Sequence, residues 1–256
     1  MIAFENVAKT YPGGATALDG FSMRIQSGQF VALVGPSGCG KSTALRLAAG
    51  LDSPTAGGVT RDPSLSEEGG IGCVFQEPTL MPWARVDTNV RLPLRLRGVS
   101  RRESAPLVAD ALRRVCLTDF ARSYPRQLSG GMKMRASVAR ATVASPRLLL
   151  MDEPFAALDE ITRFRLNDDL LELHRQQGWA CLFVTHSVYE ATFLADRVVV
   201  MSDRPGRVLA DFAVDLPRPR TDGTRSDPAY VQLCAEVSRS LATALGGGEA
   251  GREAVG

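Results

Sequence analysis

The chain has 256 residues, 45% of them hydrophobic and 23% charged, the balance of a folded globular protein, which excludes wholesale disorder. Thirty Lys and Arg against 28 Asp and Glu leave a net charge of +2, too weak a field to point to nucleic acid or anionic lipid as the main partner. No run approaches the ~18 apolar residues of a membrane span, and the first ten residues lack the basic and apolar regions of a signal peptide, so a cytoplasmic chain is expected.

Phe21, Met23 and Ile25 alternate with Ser22, Arg24 and Gln26 after the turn Tyr11-Pro12-Gly13-Gly14, which predicts an N-terminal antiparallel piece. Charge-free runs at Phe30 to Val34, Ile71 to Phe75, Leu148 to Met151 and Ala180 to Thr185 suit strands of a parallel sheet buried on both faces. A helix is predicted over Ile161 to Gln177, with Ile161, Phe164 and Leu171 on one face and Gly178 as the stop. From Glu77 to Ser145 no strand run stands out. Ser100 and Glu103 have capping-box spacing, and Leu107, Ala111 and Val115 share a helical face, so 77–145 reads as an inserted helical lobe.

Asp227-Pro228 opens a last helix to about Leu245, and Gly246-Gly247-Gly248 begins a tail, 246–256, expected to be disordered. The expected organisation is one α/β domain, 1–245, with its core in 1–76 and 146–215 and an extension over 216–245. Cysteines at 39, 73, 116, 181 and 234 lack metal-ligand spacing and read as buried reduced thiols, while His174 reads as a solvated helix residue.

The chemistry concentrates in Gly35-Pro36-Ser37-Gly38-Cys39-Gly40-Lys41-Ser42, which follows one buried strand and opens a helix, the spacing and context of a P-loop. Glycines let successive N–H groups turn around phosphates, the helix start favours negative charge, and Lys41 brings a full charge to the outer phosphates. Ser42 can ligate Mg²⁺. Cys39 reads as a small spacer. Leu148-Leu149-Leu150-Met151-Asp152-Glu153 ends a buried strand in two acids, placing Asp152 for the metal through water and Glu153 as a general base for the attacking water. Leu128-Ser129-Gly130-Gly131-Met132 precedes a helix predicted over Lys133 to Val143 and supplies a second anion site.

With these motifs in hand, residues 1–215 resemble the ATP-binding subunits of ABC transporters, whose signature is Leu-Ser-Gly-Gly. The resemblance implies a P-loop NTPase fold with a RecA-like parallel sheet core. It also implies Tyr11 stacking on adenine, an ATP-contacting loop that reaches Thr43, Gln76 as the Q-loop residue helping Ser42 and Asp152 to organise Mg²⁺, and His186 as the switch histidine on the γ-phosphate. In that family Ser129, Gly130, Gly131 and the D-loop Asp159 of one subunit close over ATP held by the other, so a homodimer is expected. Further expected partners are integral membrane permease subunits and an extracytoplasmic solute-binding protein, with the chain on the cytoplasmic face of the inner membrane and no nucleic acid.

Phe75-Gln76-Glu77-Pro78-Thr79-Leu80-Met81-Pro82-Trp83, Met132, Phe155 to Arg163 and Ser202-Asp203-Arg204-Pro205-Gly206-Arg207 look like the nitrate, sulfonate and taurine importer branch. Importers of pyrimidine precursors share such features, and Arg85 and Met134 depart from the pattern, so the solute stays open. Competing readings are a soluble ABC ATPase in translation, DNA repair or metal-cluster assembly. A GTPase is disfavoured by the lack of an Asn-Lys-x-Asp motif.

Overall fold

Apolar alternation near the N-terminus builds a three-stranded antiparallel sheet in which β1 (Ile2–Thr10) lies between β2 (Thr16–Ile25) and β4 (Ala56–Arg61). Phe4 and Phe21 meet edge to face beneath it, with centroids 5.3 Å apart. In the computed structural model, which describes residues 1–66 and 69–246, the described residues form two compact units, one of 1–62 with 180–246 and one within 63–179. The tail expected to be disordered lies outside the described residues except for Gly246.

In the first unit, β3 (Phe30–Val34) is flanked by β7 (Ala180–Val184) and β8 (Arg197–Met201), both parallel to it. Strand β9 (Val208–Ala213) pairs antiparallel to β8. Every residue of β3 and β7 is buried, which is why these strands read as unbroken apolar runs. Helix α1 (Lys41–Ala48) follows β3, and α6 (Val188–Leu194) follows β7 and packs on β3. The predicted last helix is α7 (Pro228–Gly246), seated on α6 and β8.

In the second unit, β5 (Ile71–Val74) and β6 (Leu148–Asp152) pair in parallel. Between them come α2 (Val86–Leu96), α3 (Arg101–Arg114) and α4 (Gly130–Thr142), whose apolar faces enclose Val86, Val90, Leu94, Leu112, Ala136 and Ala139. Burying side chains of the Val and Leu size contributes about 1.5–3 kcal/mol each. The Ser100–Glu103 capping box forms in both directions, fixing where α3 starts. Helix α5 (Glu160–Gln177) starts on the cap Asp159 and ends at Gly178, whose φ of +66° is the left-handed stop its sequence signalled.

Several sequence expectations are corrected. The buried face of α5 carries Leu166, Leu170, Leu171 and Leu173, while Ile161 is exposed, because in the first turn the side that meets α4 is that of Thr162. On α3 the inward stripe is Val108, Ala111, Leu112 and Val115, and Leu107 faces out. His174 is buried, its ring 4.8 Å from Trp179 in an edge contact, so it is a packing residue and not a solvated one. Cys116 is exposed and stands at φ +56° in the turn that ends α3, which separates it from the buried thiols of Cys39, Cys181 and Cys234.

Candidate active site

The first unit brings together Tyr11, the loop from Gly35 to Thr43, and His186. Leu33 and Val184 are paired across β3 and β7, so Gly35 and His186 each leave the same sheet edge two residues further on. Lys41 is buried at 6% exposure, and its ammonium donates to the carbonyls of Gly35 and Pro36, each at 2.8 Å. Those two bonds satisfy a buried cation and pull the loop into a closed arch over the start of α1.

Gly40 caps α1 at φ +108°, and a Cβ there would stand 2.7 Å from the Ala17 carbonyl oxygen, so both backbone conformation and space require glycine. Gly38 at φ +79° faces open space instead, with no atom within 4 Å of where a Cβ would stand. That leaves the crown of the arch accessible to a phosphate. Cys39 is buried, and burial pushes its thiol pKa up despite the nearby Lys41. The Tyr11 hydroxyl lies 3.2 Å from the Thr43 hydroxyl, which sets the aromatic ring beside the loop's helix.

The second unit carries two groups. At one end of β5 and β6, Val74 is paired with Met151, so Gln76 and Glu153 each lie two residues beyond the paired positions, with Asp152 closing β6. Glu153 sits at φ +44°, a left-handed conformation that costs about 1–3 kcal/mol for a residue with a side chain. A turn bond from the Ala156 N–H to the Glu153 carbonyl, 3.2 Å, holds it there.

The other group is built by the starts of α4 and α5. Ser129 caps α4 and accepts the Met132 N–H at 3.3 Å, and Asp159 caps α5 and accepts the Thr162 N–H at 2.9 Å. That bond holds the Asp159 carboxyl below its usual pKa. A Cβ on Gly131 would stand 2.7 Å from Thr162 Cγ2, and one on Gly130 would stand 3.2 Å from Leu158 Cδ2. Glycine therefore lets the signature segment and the Ala157-Leu158-Asp159 turn approach each other closely.

The chain matches the ABC transporter family over residues 18–156. It belongs to that family. The nitrate import ATP-binding protein NrtD of Synechocystis is 41% identical over 237 residues, 90% of this chain and 89% of its own length. The aliphatic sulfonates import ATP-binding protein SsuB 1 of Agrobacterium fabrum is 43% identical, covering 93% of this chain and 83% of its own. Among solved structures, a dimeric ATP-binding cassette in a post-hydrolysis state, bound to ADP and Pi, superposes with a TM-score of 0.72 at 32% identity, over 85% of this chain and 100% of that one.

Against the ABC motif set, two supporting residues escape sequence reasoning. Arg140 on α4 donates to the carbonyls of Thr79 at 2.7 Å and Pro78 at 2.8 Å and to the Thr79 hydroxyl at 2.9 Å, so the signature helix grips the segment that follows Gln76. Asn89, fully buried, accepts the Met81 N–H at 2.7 Å and donates to the Met81, Ala84 and Arg85 carbonyls, fixing the turn that presents Trp83. Arg140 is separated from Thr79 by 61 residues, and no local pattern announces such a contact. Asn89 lies eight residues from Met81, and no local pattern marks it for burial on the inward face of α2.

Proposed function

We propose that the chain is the ATP-hydrolysing subunit of a bacterial ABC importer, energising uptake of a small anionic solute of the nitrate, aliphatic sulfonate or taurine type through a separate permease. The observation that carries this reading is the coexistence of two helix starts of the kind that suits anions, the arch before α1 and the Ser129 cap of α4, in a chain closely related to importer subunits.

In this reading Lys41 and the amides from Gly35 to Thr43 bind the β and γ phosphates, and Tyr11 stacks on adenine. The oxygen donors Ser42, Gln76 and Asp152 are of the hard kind that Mg²⁺ prefers and would hold the ion, which would supply positive charge against the phosphates. Glu153 accepts a proton from the attacking water, and His186 contacts the γ-phosphate. Ser129, Gly130, Gly131 and Asp159 come from the opposite chain, which makes the competent enzyme a head-to-tail homodimer. Catalysis is then positioning and electrostatics, and ATP shifts the open-to-closed equilibrium by its differential affinity for the closed dimer.

Among the described residues no helix is long and apolar enough to cross a membrane, so transport requires a partner that does. A surface groove lined by Phe75, Leu92, Leu96 and Arg140, with Trp83 77% exposed on the preceding turn, suits an apolar segment of that permease at the cytoplasmic face of the inner membrane. The solute-binding protein would act from the other side.

The test is affinity purification of the tagged chain from gently solubilised membranes, with mass spectrometry of its partners. A multi-span membrane protein together with an extracytoplasmic binding protein is the expected result. Recovery with ribosomes, DNA or cluster-assembly proteins and no integral membrane partner would overturn the transport reading and leave a soluble ABC ATPase.

A further inference from the structure

Strand β7 hands on to α6 through Thr185-His186-Ser187, and hydrogen bonds close around that turn on both sides of the histidine. Thr185 and Glu190 are buried, at 2% and 6% exposure, while His186 between them is exposed. The Ser187 N–H donates to Thr185 Oγ1 at 3.0 Å, the Thr185 hydroxyl donates to Glu190 Oε2 at 2.6 Å, and the Glu190 N–H donates back to Ser187 Oγ at 3.3 Å. The Thr185 N–H also donates to the Leu33 carbonyl at 3.2 Å, tying the turn to the strand that leads into the phosphate loop.

Ser187 and Glu190 have the spacing of a capping box, in which the glutamate ordinarily reaches back to the N–H of the cap residue. Here Thr185 is inserted into that reciprocal arm. Its oxygen takes the cap N–H, and its hydroxyl proton takes the carboxylate. A device that would fix only the start of α6 therefore also fixes the residue before His186, through a short bond of 2.6 Å between Thr185 and Glu190.

The rest of α6 is held equally firmly. Buried Arg220 donates to the Phe193 carbonyl at 2.8 Å and the Ala195 carbonyl at 2.7 Å, and the Tyr230 hydroxyl donates to the Tyr189 carbonyl at 3.0 Å. With both ends of the helix anchored, the carboxylate of Glu190 is a fixed point from which the histidine turn hangs.

We propose that Glu190 is a positioning residue for the reaction: acting through Thr185, its carboxylate sets where His186 is presented to the γ-phosphate. The proposal rests on the role assigned to His186 above. It predicts that activity depends on an acceptor at position 190 rather than on its charge, because an amide oxygen also accepts the Thr185 hydroxyl.

The full chain holds two histidines, His174 and His186, so isotope labelling of histidine gives two sets of ring resonances, assigned with a His186→Ala variant. Glu190→Ala is expected to displace and broaden the His186 resonances, leave those of His174 in place, and lower kcat at least about tenfold with KM for ATP within about twofold. Glu190→Gln is expected to restore kcat to within about threefold and the His186 resonances to their wild-type positions.

If Glu190→Ala does not fold, Thr185→Val against Thr185→Ser carries the same comparison, since only serine keeps the relaying hydroxyl. Unmoved His186 resonances in a folded Glu190→Ala or Thr185→Val chain would overturn the proposal, as would equal losses of kcat in Glu190→Ala and Glu190→Gln. Wild-type turnover by His186→Ala would instead remove the phosphate role of the histidine, and the ring resonances would still decide whether Glu190 positions it.

Discussion

Arg140→Met removes the guanidinium that joins α4 to the Pro78–Thr79 segment while keeping most of the apolar stem. Three hydrogen bonds of 2.7–2.9 Å are lost. Hydrogen bonds of a charged donor contribute ~1.5–3 kcal/mol each when fully shielded, but Thr79 is exposed and the three share one side chain, so about 2 kcal/mol of anchoring is expected overall. Burial pushes the pKa of Arg140 down, a sign that its desolvation offsets part of the gain. Thr79 stands at φ +46°, a strained conformation that relaxes once the grip is gone and favours release further.

About 2 kcal/mol is roughly a 30-fold change in the equilibrium between held and released loop. Native-state hydrogen exchange at the Met81 amide, which ends that segment and donates to Asn89 Oδ1 at 2.7 Å, reads that equilibrium, and exchange up to about 30-fold faster than wild type is expected, with turnover reduced and nucleotide affinity little changed. Exchange unchanged in a folded Arg140→Met chain would refute the idea that α4 holds the segment after Gln76.

Gly131→Ala places a Cβ 2.7 Å from Thr162 Cγ2 and should destabilise the α4–α5 contact by ~1–3 kcal/mol, with Thr162→Ser restoring most of the loss. Denaturant midpoints of the two single variants and the double variant give the coupling, and additive effects would contradict the contact. Ser129→Arg should leave ATP binding to a single chain intact and abolish turnover, because it blocks the surface offered to the opposite nucleotide. Equilibrium binding of a fluorescent ATP analogue beside phosphate release would check both halves, and unchanged turnover would remove the signature from the mechanism.

The parallel core was legible because burial on both faces writes itself as an unbroken apolar run, so Phe30–Val34 was read residue by residue and the run Ala180 to Thr185 passes the end of β7 by one. The loop before α1 was equally plain, since its glycines at 38 and 40 answer a local requirement for positive φ that the sequence shows directly. The burial of His174 was hidden because it depends on Trp179, on the far side of a turn that no helical period describes. Likewise Ile161 and Leu107 fit an apolar spacing yet face outward, because a stripe shows which residues share a side and not where the neighbouring element ends. The contacts of Arg140 and Asn89 to backbone carbonyls left no trace in composition or period. The Thr185 relay was half visible, as Ser187-Val188-Tyr189-Glu190 has the spacing of a cap, but its extension around His186 is a property of the folded turn alone.

The central claim is that two chains share their ATP sites. Glu153→Gln should retain the turn at φ +44° and bind ATP while hydrolysing it very slowly, so that the closed state accumulates. Sedimentation of this variant in MgATP should then show a dimer of about 55 kDa, twice the 27.5 kDa of one chain, that dissociates when ADP replaces ATP. A nucleotide-loaded variant that remains a monomer at high protein concentration would contradict the shared site.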